Sequence, residues 1–220
     1  MNDRLAGVQR WPVAQTVLRL GFAATAVAAM AYQGGGLAQA HVFRAGNFFS
    51  FFTIQSNILG AVALVAAAFV PRAVRSAAFD VARTAVTLAM GVTGVVFALL
   101  LKGLQESLDT HVAWVNFVVH TLMPIVLVAD WLIDPPRHRA GVRTALALLA
   151  YPAVWFAYTL IRGAAEGWYP YPFVDAKQHG YGHVFGSALV LLAGFAAAAG
   201  LLVWVGNRRS DQMSPRLVVS

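Results

Sequence analysis

Six apolar stretches dominate the chain, over 13–32, 48–70, 81–101, 112–132, 142–161 and 183–205. Each is about as long as the roughly 20 residues a helix needs to cross a hydrocarbon core about 30 Å thick. In the second, third and fourth of them polar or small residues recur at three- and four-residue spacing, which is helical periodicity. Turn and charge signals separate them: Gly34-Gly35-Gly36, Pro71-Arg72, Lys102 to Asp109, Pro135-Pro136-Arg137, and Trp168 to Gly182. No linker is long enough for a second domain. The pattern predicts an all-α, polytopic membrane protein, a single six-transmembrane-helix bundle over 1–220.

Composition agrees with that pattern. Of 220 residues, 59% are hydrophobic and 11% charged, against about 25% charged in ordinary soluble domains. So few charges cannot cover a water-soluble globule of this size. The chain has no cysteine, which excludes disulfides and thiol chemistry. Its net charge of +7 follows from topology. With the N-terminus in the cytoplasm, the inner segments hold Arg4, Arg10, Arg72, Arg75, Arg83, Arg137, Arg139, Arg143, Arg208, Arg209 and Arg216. The outer ones hold Arg44, Lys102, Arg162 and Lys177 beside Glu106, Asp109, Glu166 and Asp175. Positive charge on the inner loops is the usual membrane bias, so both termini are expected in the cytoplasm and no nucleic-acid partner is implied. Ala38-Gln39-Ala40 has the form of a signal-peptidase site, but the apolar run before it is longer than such a signal requires.

Several features read as packing. Thr84, Thr87, Gly91 and Gly94 form a narrow small-residue seam where another helix can approach. Trp11, Trp114, Trp131, Trp168 and Tyr169 fall near predicted helix ends, as interfacial anchors do. Polar groups inside the spans carry more information, because hydrocarbon makes them costly. Thr53, Ser56 and Asn57 share one face of the second span, while Gln55 points elsewhere. Asn116 and His120 share a face of the fourth, with Pro124 one turn on. Thr53 lies about 8 Å from the start of its span and His120 about 12 Å, both toward the outer side. The two clusters therefore have matching depth. One reading is interhelical hydrogen bonding. The other is a hydroxyl nucleophile beside an imidazole base, the minimum for acyl transfer. Asp130, about 15 Å deeper, is too far from His120 to complete a triad.

The loop over 167–182 contains Trp168-Tyr169-Pro170-Tyr171-Pro172-Phe173, a stiff aromatic segment that suits a cap or entrance. His179 and His183 form an HxxxH pair without an adjacent carboxylate. No metal site is expected from it. Other functional classes also fit the composition: a lipid-binding, receptor or transport protein, or a haem protein. Bis-histidine haem would need a second deep histidine, and only His120 is deep. A rhomboid-type protease would need a Gly-x-Ser-Gly element that this chain lacks.

The runs Phe51-Phe52-Thr53-Ile54-Gln55-Ser56-Asn57, His120-Thr121-Leu122-Met123-Pro124 and Trp168-Tyr169-Pro170-Tyr171-Pro172-Phe173, in that order, resemble the androgen-induced-gene and FAR-type family of membrane proteins, in its bacterial branch. That family includes the androgen-dependent TFPI-regulating protein. The resemblance extends from the first span to the sixth. It implies an intramembrane threonine hydrolase acting on lipid esters such as fatty acid esters of hydroxy fatty acids, without a cofactor. It implies Thr53 as nucleophile and His120 as base; because Gln55-Ser56-Asn57 looks distinctive of the bacterial branch, Ser56 is the alternative nucleophile. Asn57 and Asn116 are the candidate oxyanion donors. The expected setting is the bacterial inner membrane, with membrane lipid as substrate.

Overall fold

The computed structural model describes residues 13–101 and 112–213. Arg4, Arg10, Trp11, Lys102, Glu106, Asp109 and Arg216 lie outside the described residues. Those described form helices and no strands. Six helices are long and apolar enough to cross a membrane: α1 Val13–Gln39, α2 Phe52–Phe69, α3 Ala77–Leu101, α4 Ala113–Ile133, α5 Val142–Glu166 and α6 Ala176–Gln212. Each predicted span has its helix, with shifted ends. α1 runs through Gly34-Gly35-Gly36, since in an apolar setting backbone N–H and C=O groups are satisfied only within the helix, which outweighs glycine's weak helix propensity. It closes at His41, whose φ of 58° forms a left-handed cap. Val42 N–H reaches Leu37 O and His41 N–H reaches Ala38 O, the two bonds of a Schellman ending. α6 starts seven residues before its predicted apolar run, interrupted at Gly180, where φ is 77°.

Two apolar cores hold the bundle. One joins α1, α2 and α4 through Ala26, Met30, Leu64, Val119, Met123 and Leu127. The other joins α2, α3, α5 and α6 through Phe52, Leu88, Leu148, Trp155 and Phe195. The small-residue seam of α3 faces α4. A Cβ on Gly94 would lie 2.9 Å from Pro124 Cβ, and one on Gly91 would touch Val128. Thr84 accepts a hydrogen bond from Trp131 Nε1 at 3.0 Å. Trp131 is therefore a core residue, 1% exposed, and not an interfacial anchor as expected. Packing against α3 and Gly206 outweighs any preference for the interface.

The sequence reading locates the polar groups inside the spans in two clusters. The fold adds a third, which is charged. Arg19, in the second turn of α1, donates to Asp130 at 2.7 Å and to Asp134 at 2.6 Å. Its Nη1 also donates to Ala67 O of α2 at 2.7 Å. Arg75 donates to Asp134 and Arg83 to Asp130, both at 2.6 Å. Three arginines and two carboxylates thus close one end of the bundle, hereafter the arginine end. Nearby, Asp80 Oδ2 accepts from His138 Nδ1 at 2.8 Å and from the Arg137 and His138 backbones. Removing one member of a buried ion pair leaves an uncompensated charge, at about 3–5 kcal/mol. Asp134→Ala is therefore expected to lower stability by about that amount, read as a large fall in the thermal midpoint of the purified protein. The exposed pair Arg139–Asp211 should tolerate Asp211→Ala with little change.

Candidate active site

At the opposite end, α2 begins just ahead of Thr53. Phe51 is extended at the N-cap, with φ −65° and ψ 128°, and Thr53 follows in the first turn. The segment ahead of it is pinned to α5. Arg162 Nη2 donates to Asn47 Oδ1 at 2.8 Å and Nη1 to Ser50 Oγ at 3.1 Å. Trp155 Nε1 donates to Ser50 O at 2.9 Å. Ser50 Oγ also meets Tyr158 Oη at 2.8 Å.

α4 presents His120 through a different device. Residues Val118–Leu122 form a π-helical turn. Pro124 has no N–H for the carbonyl of His120, and its ring crowds that carbonyl. Widening of the preceding turn accommodates both, and such turns are frequent at functional sites. α3 widens in the same way over Phe97–Leu101. There the Phe97 ring stacks on the imidazole, with centroids 4.1 Å apart and planes at 14°, which fixes the plane of the histidine.

These two devices bring the predicted pair together. Thr53 Oγ1 lies 3.2 Å from His120 Nε2, and both residues are buried. Nδ1 of His120 is buried and makes no hydrogen bond among the described residues; the backbone of Asn116, one turn back, acts on the imidazole electrostatically. A proton on Nδ1 leaves Nε2 free to accept the threonine proton. No carboxylate among the described residues bonds the imidazole, and Asp130 is committed to Arg19 and Arg83.

The other sequence candidates have different placements. Ser56 Oγ donates back to Phe52 O at 2.7 Å and contacts Thr93 Oγ1 at 3.3 Å. Its hydroxyl thus serves the α2–α3 contact and not the imidazole. Asn57 Nδ2 donates to Thr53 O at 2.9 Å and to Val119 O at 3.0 Å. Both amide protons are used, so Asn57 is not available to an oxyanion; it braces Thr53 and ties α2 to α4. Asn116 is buried beside His120 and lines neither of the cavities that meet at Thr53. Gln55 points away, to Phe49 O and Tyr151 Oη.

Tyr171, which sequence reading treats only as part of a cap, enters the site. Its hydroxyl lies 3.3 Å from both Thr53 Oγ1 and Thr53 N. The flanking Pro170 and Pro172 are the sequence signal, since two prolines stiffen the backbone that presents it. The chain reverses at Gly167, with φ 67°. Gly163 lets the loop fold back, because a Cβ there would fall 2.0 Å from the Tyr169 ring. His179 and His183 stack on each other at 5.0 Å, and no group of three metal-ligating side chains occurs among the described residues.

Two cavities share Thr53, Leu101 and Tyr171 in their walls. One, of about 280 Å³, is otherwise lined mainly by apolar side chains of α3, α5 and α6, including Val96, Phe156, Leu189 and Leu192. The other, of about 190 Å³, contains His120, Gln33, Arg44, Asn47 and Trp168. No protein-family model, curated protein or solved structure matches this chain. The family resemblance rests on the sequence motifs.

Asn57→Ala removes two buried hydrogen bonds and leaves Val119 O without that donor. It should destabilise the protein by about 1–3 kcal/mol, measured by thermal unfolding. A variant as stable as the wild type would remove Asn57 from the α2–α4 brace.

Proposed function

We propose that this chain is an intramembrane lipid ester hydrolase with Thr53 as nucleophile and His120 as base. The observation that carries the reading is the 3.2 Å contact between Thr53 Oγ1 and His120 Nε2, at the junction of an apolar and a more polar cavity. Motif resemblance supports the same pair. The protein is read as a multi-pass protein of the bacterial cytoplasmic membrane with both termini inside. Support comes from Arg72, Arg75, Arg137, Arg139, Arg143, Arg208 and Arg209, which sit in or beside the connections and chain end at one end of the bundle, as the inner-side bias of basic residues requires.

In the reaction the acyl chain lies in the apolar cavity and the alcohol portion in the polar one. His120 Nε2 takes the Thr53 hydroxyl proton as Oγ1 bonds the ester carbonyl carbon. The tetrahedral intermediate collapses, the carbon–oxygen bond to the alcohol breaks, and the alcohol leaves with the proton from His120. Water then gives a proton to His120 and adds to the acyl-threonine carbonyl. Collapse releases the fatty acid and returns the proton to Thr53. Splitting the hydrolysis this way is covalent catalysis by an activated hydroxyl. The base is a dyad member with no carboxylate partner among the described residues.

Purified protein in detergent, offered nitrophenyl acyl esters, monoacylglycerols and hydroxy-fatty-acid esters, tests the reading. Thr53→Ala and His120→Ala should each lower kcat by at least about a thousandfold, on the scale of losing a nucleophile or its base. Ser56→Ala should retain turnover. Activity that survives in folded Thr53→Ala would exclude it as nucleophile. Absence of turnover by wild type across the panel, with lipid still bound, would favour a lipid-binding protein. Arg44 lines the polar cavity and makes no ion pair among the described residues. Arg44→Gln should raise KM for esters whose alcohol portion carries a carboxylate, and leave neutral esters unchanged.

A further inference from the structure

The contacts around Thr53 leave one oxygen unexplained by a two-residue site. Tyr171 Oη is within 3.3 Å of the nucleophile's side-chain oxygen and of its backbone nitrogen, and its ring borders both cavities. The ring is held on three sides: Phe51 at 5.6 Å, Trp155 at 5.9 Å and Phe173 stacked at 5.2 Å. A phenol gripped so tightly in an apolar wall has one free coordinate, rotation of its hydroxyl proton.

We propose that Tyr171 is a third catalytic residue, the donor that receives the oxyanion formed when Thr53 attacks a bound ester. The assignment rests on the hydrolase reading and adds to it the source of oxyanion stabilisation. Proton counting supports it. With the imidazole proton on Nδ1, Thr53 Oγ1–H donates to His120 Nε2, and the lone pairs of Oγ1 are then what Tyr171 O–H meets in the resting site. Thr53 N–H donates to the phenol oxygen. That bond polarises the phenol and strengthens its own donation, as chained hydrogen bonds do. When Oγ1 bonds the carbonyl carbon, the carbonyl π pair moves onto oxygen. The Tyr171 proton then rotates from Oγ1 to that oxygen and stays on the phenol throughout. Burial raises Tyr171 above the ordinary phenol range, opposed by its hydrogen bonds with Thr53. The group is therefore a protonated donor at neutral pH. Asn57, the sequence candidate for this task, has both amide protons engaged elsewhere. The resting contacts of 3.3 Å are long for a hydroxyl pair, and catalytic hydrogen bonds often tighten only around the reacting group.

The test uses the full chain in detergent, a nitrophenyl acyl ester and a long-chain trifluoromethyl ketone. The ketone adds Thr53 Oγ1 to form a tetrahedral oxyanion, with the threonine proton passing to His120. The corresponding long-chain alcohol occupies the cavity without forming an oxyanion. Tyr171→Phe should lower kcat about a hundred- to a thousandfold, as loss of one oxyanion donor does, with KM changed less than about threefold. It should weaken the ketone by a similar factor and leave the alcohol unaffected, since only transition-state-like binding is lost. Should the Phe variant unfold, 3-fluorotyrosine at 171 keeps the bonds with a more acidic phenol and should tighten the ketone alone. Wild-type turnover that depends on Thr53 but is retained in Tyr171→Phe, or a ketone affinity indifferent to both changes, would overturn the Tyr171 role by itself. A wild type that neither turns over ester nor forms the ketone adduct would overturn the hydrolase reading and this assignment with it.

Discussion

The bundle depends most on the paired charges at its arginine end. Removing a charge from water is expensive, and the idealised cost for one ion reaches about 20 kcal/mol. Asp130 meets that cost by facing Arg19 and Arg83, and Asp134 by facing Arg19, Arg75 and Arg83, which come from different parts of the chain. Arg19 comes from α1, Arg75 from the α2–α3 connection and Arg83 from α3. Arg19 also reaches the backbone of α2 at Ala67. Four helices are thereby held in one rotation and one axial register. An ion pair of this kind is weak support for net stability but strong support for a single arrangement, because slipping any helix by a turn would strand a charge in an apolar setting.

Register at one end is register at the other. His120 lies ten residues before Asp130 on α4, about 15 Å along the axis. The α1–α2–α4 core of Ala26, Leu64, Met123 and Leu127 fills the interval. Asn57 closes it with bonds to Thr53 O and Val119 O. The pair Thr53 and His120 is thus placed by contacts that do not themselves take part in chemistry. The π-helical turn at Val118–Leu122 and the stacked Phe97 ring make the final adjustment. α5 and α6 add the apolar cavity and the loop that brings Tyr171.

How far the site is legible in the sequence differs from residue to residue. Thr53 and His120 stand out because each is polar in an apolar span at comparable depth, but depth alone leaves their contact open, and only the packing of α2 on α4 brings them to 3.2 Å. The roles of Ser56 and Asn57 are not legible. Both share the face of Thr53, and helical spacing cannot say which hydroxyl or amide is already consumed by a backbone carbonyl. Tyr171 is legible as part of a stiff segment but not as a site residue, since a loop carries no periodicity to state where it points. Arg19 lies inside the first apolar span and carries no role in the sequence reading, since its carboxylate partners are more than 100 residues away in the chain.

The amino-acid sequence by itself determined the helical class, the six apolar helices and the two polar clusters, because hydrophobic length and helical spacing are local properties that lipid-like surroundings enforce strongly. Tertiary structure alone decided which polar atoms remain free. Once α2, α4 and the loop after α5 converge, backbone carbonyls claim Ser56 and Asn57, while Thr53 is left facing an imidazole on one side and a phenol on the other.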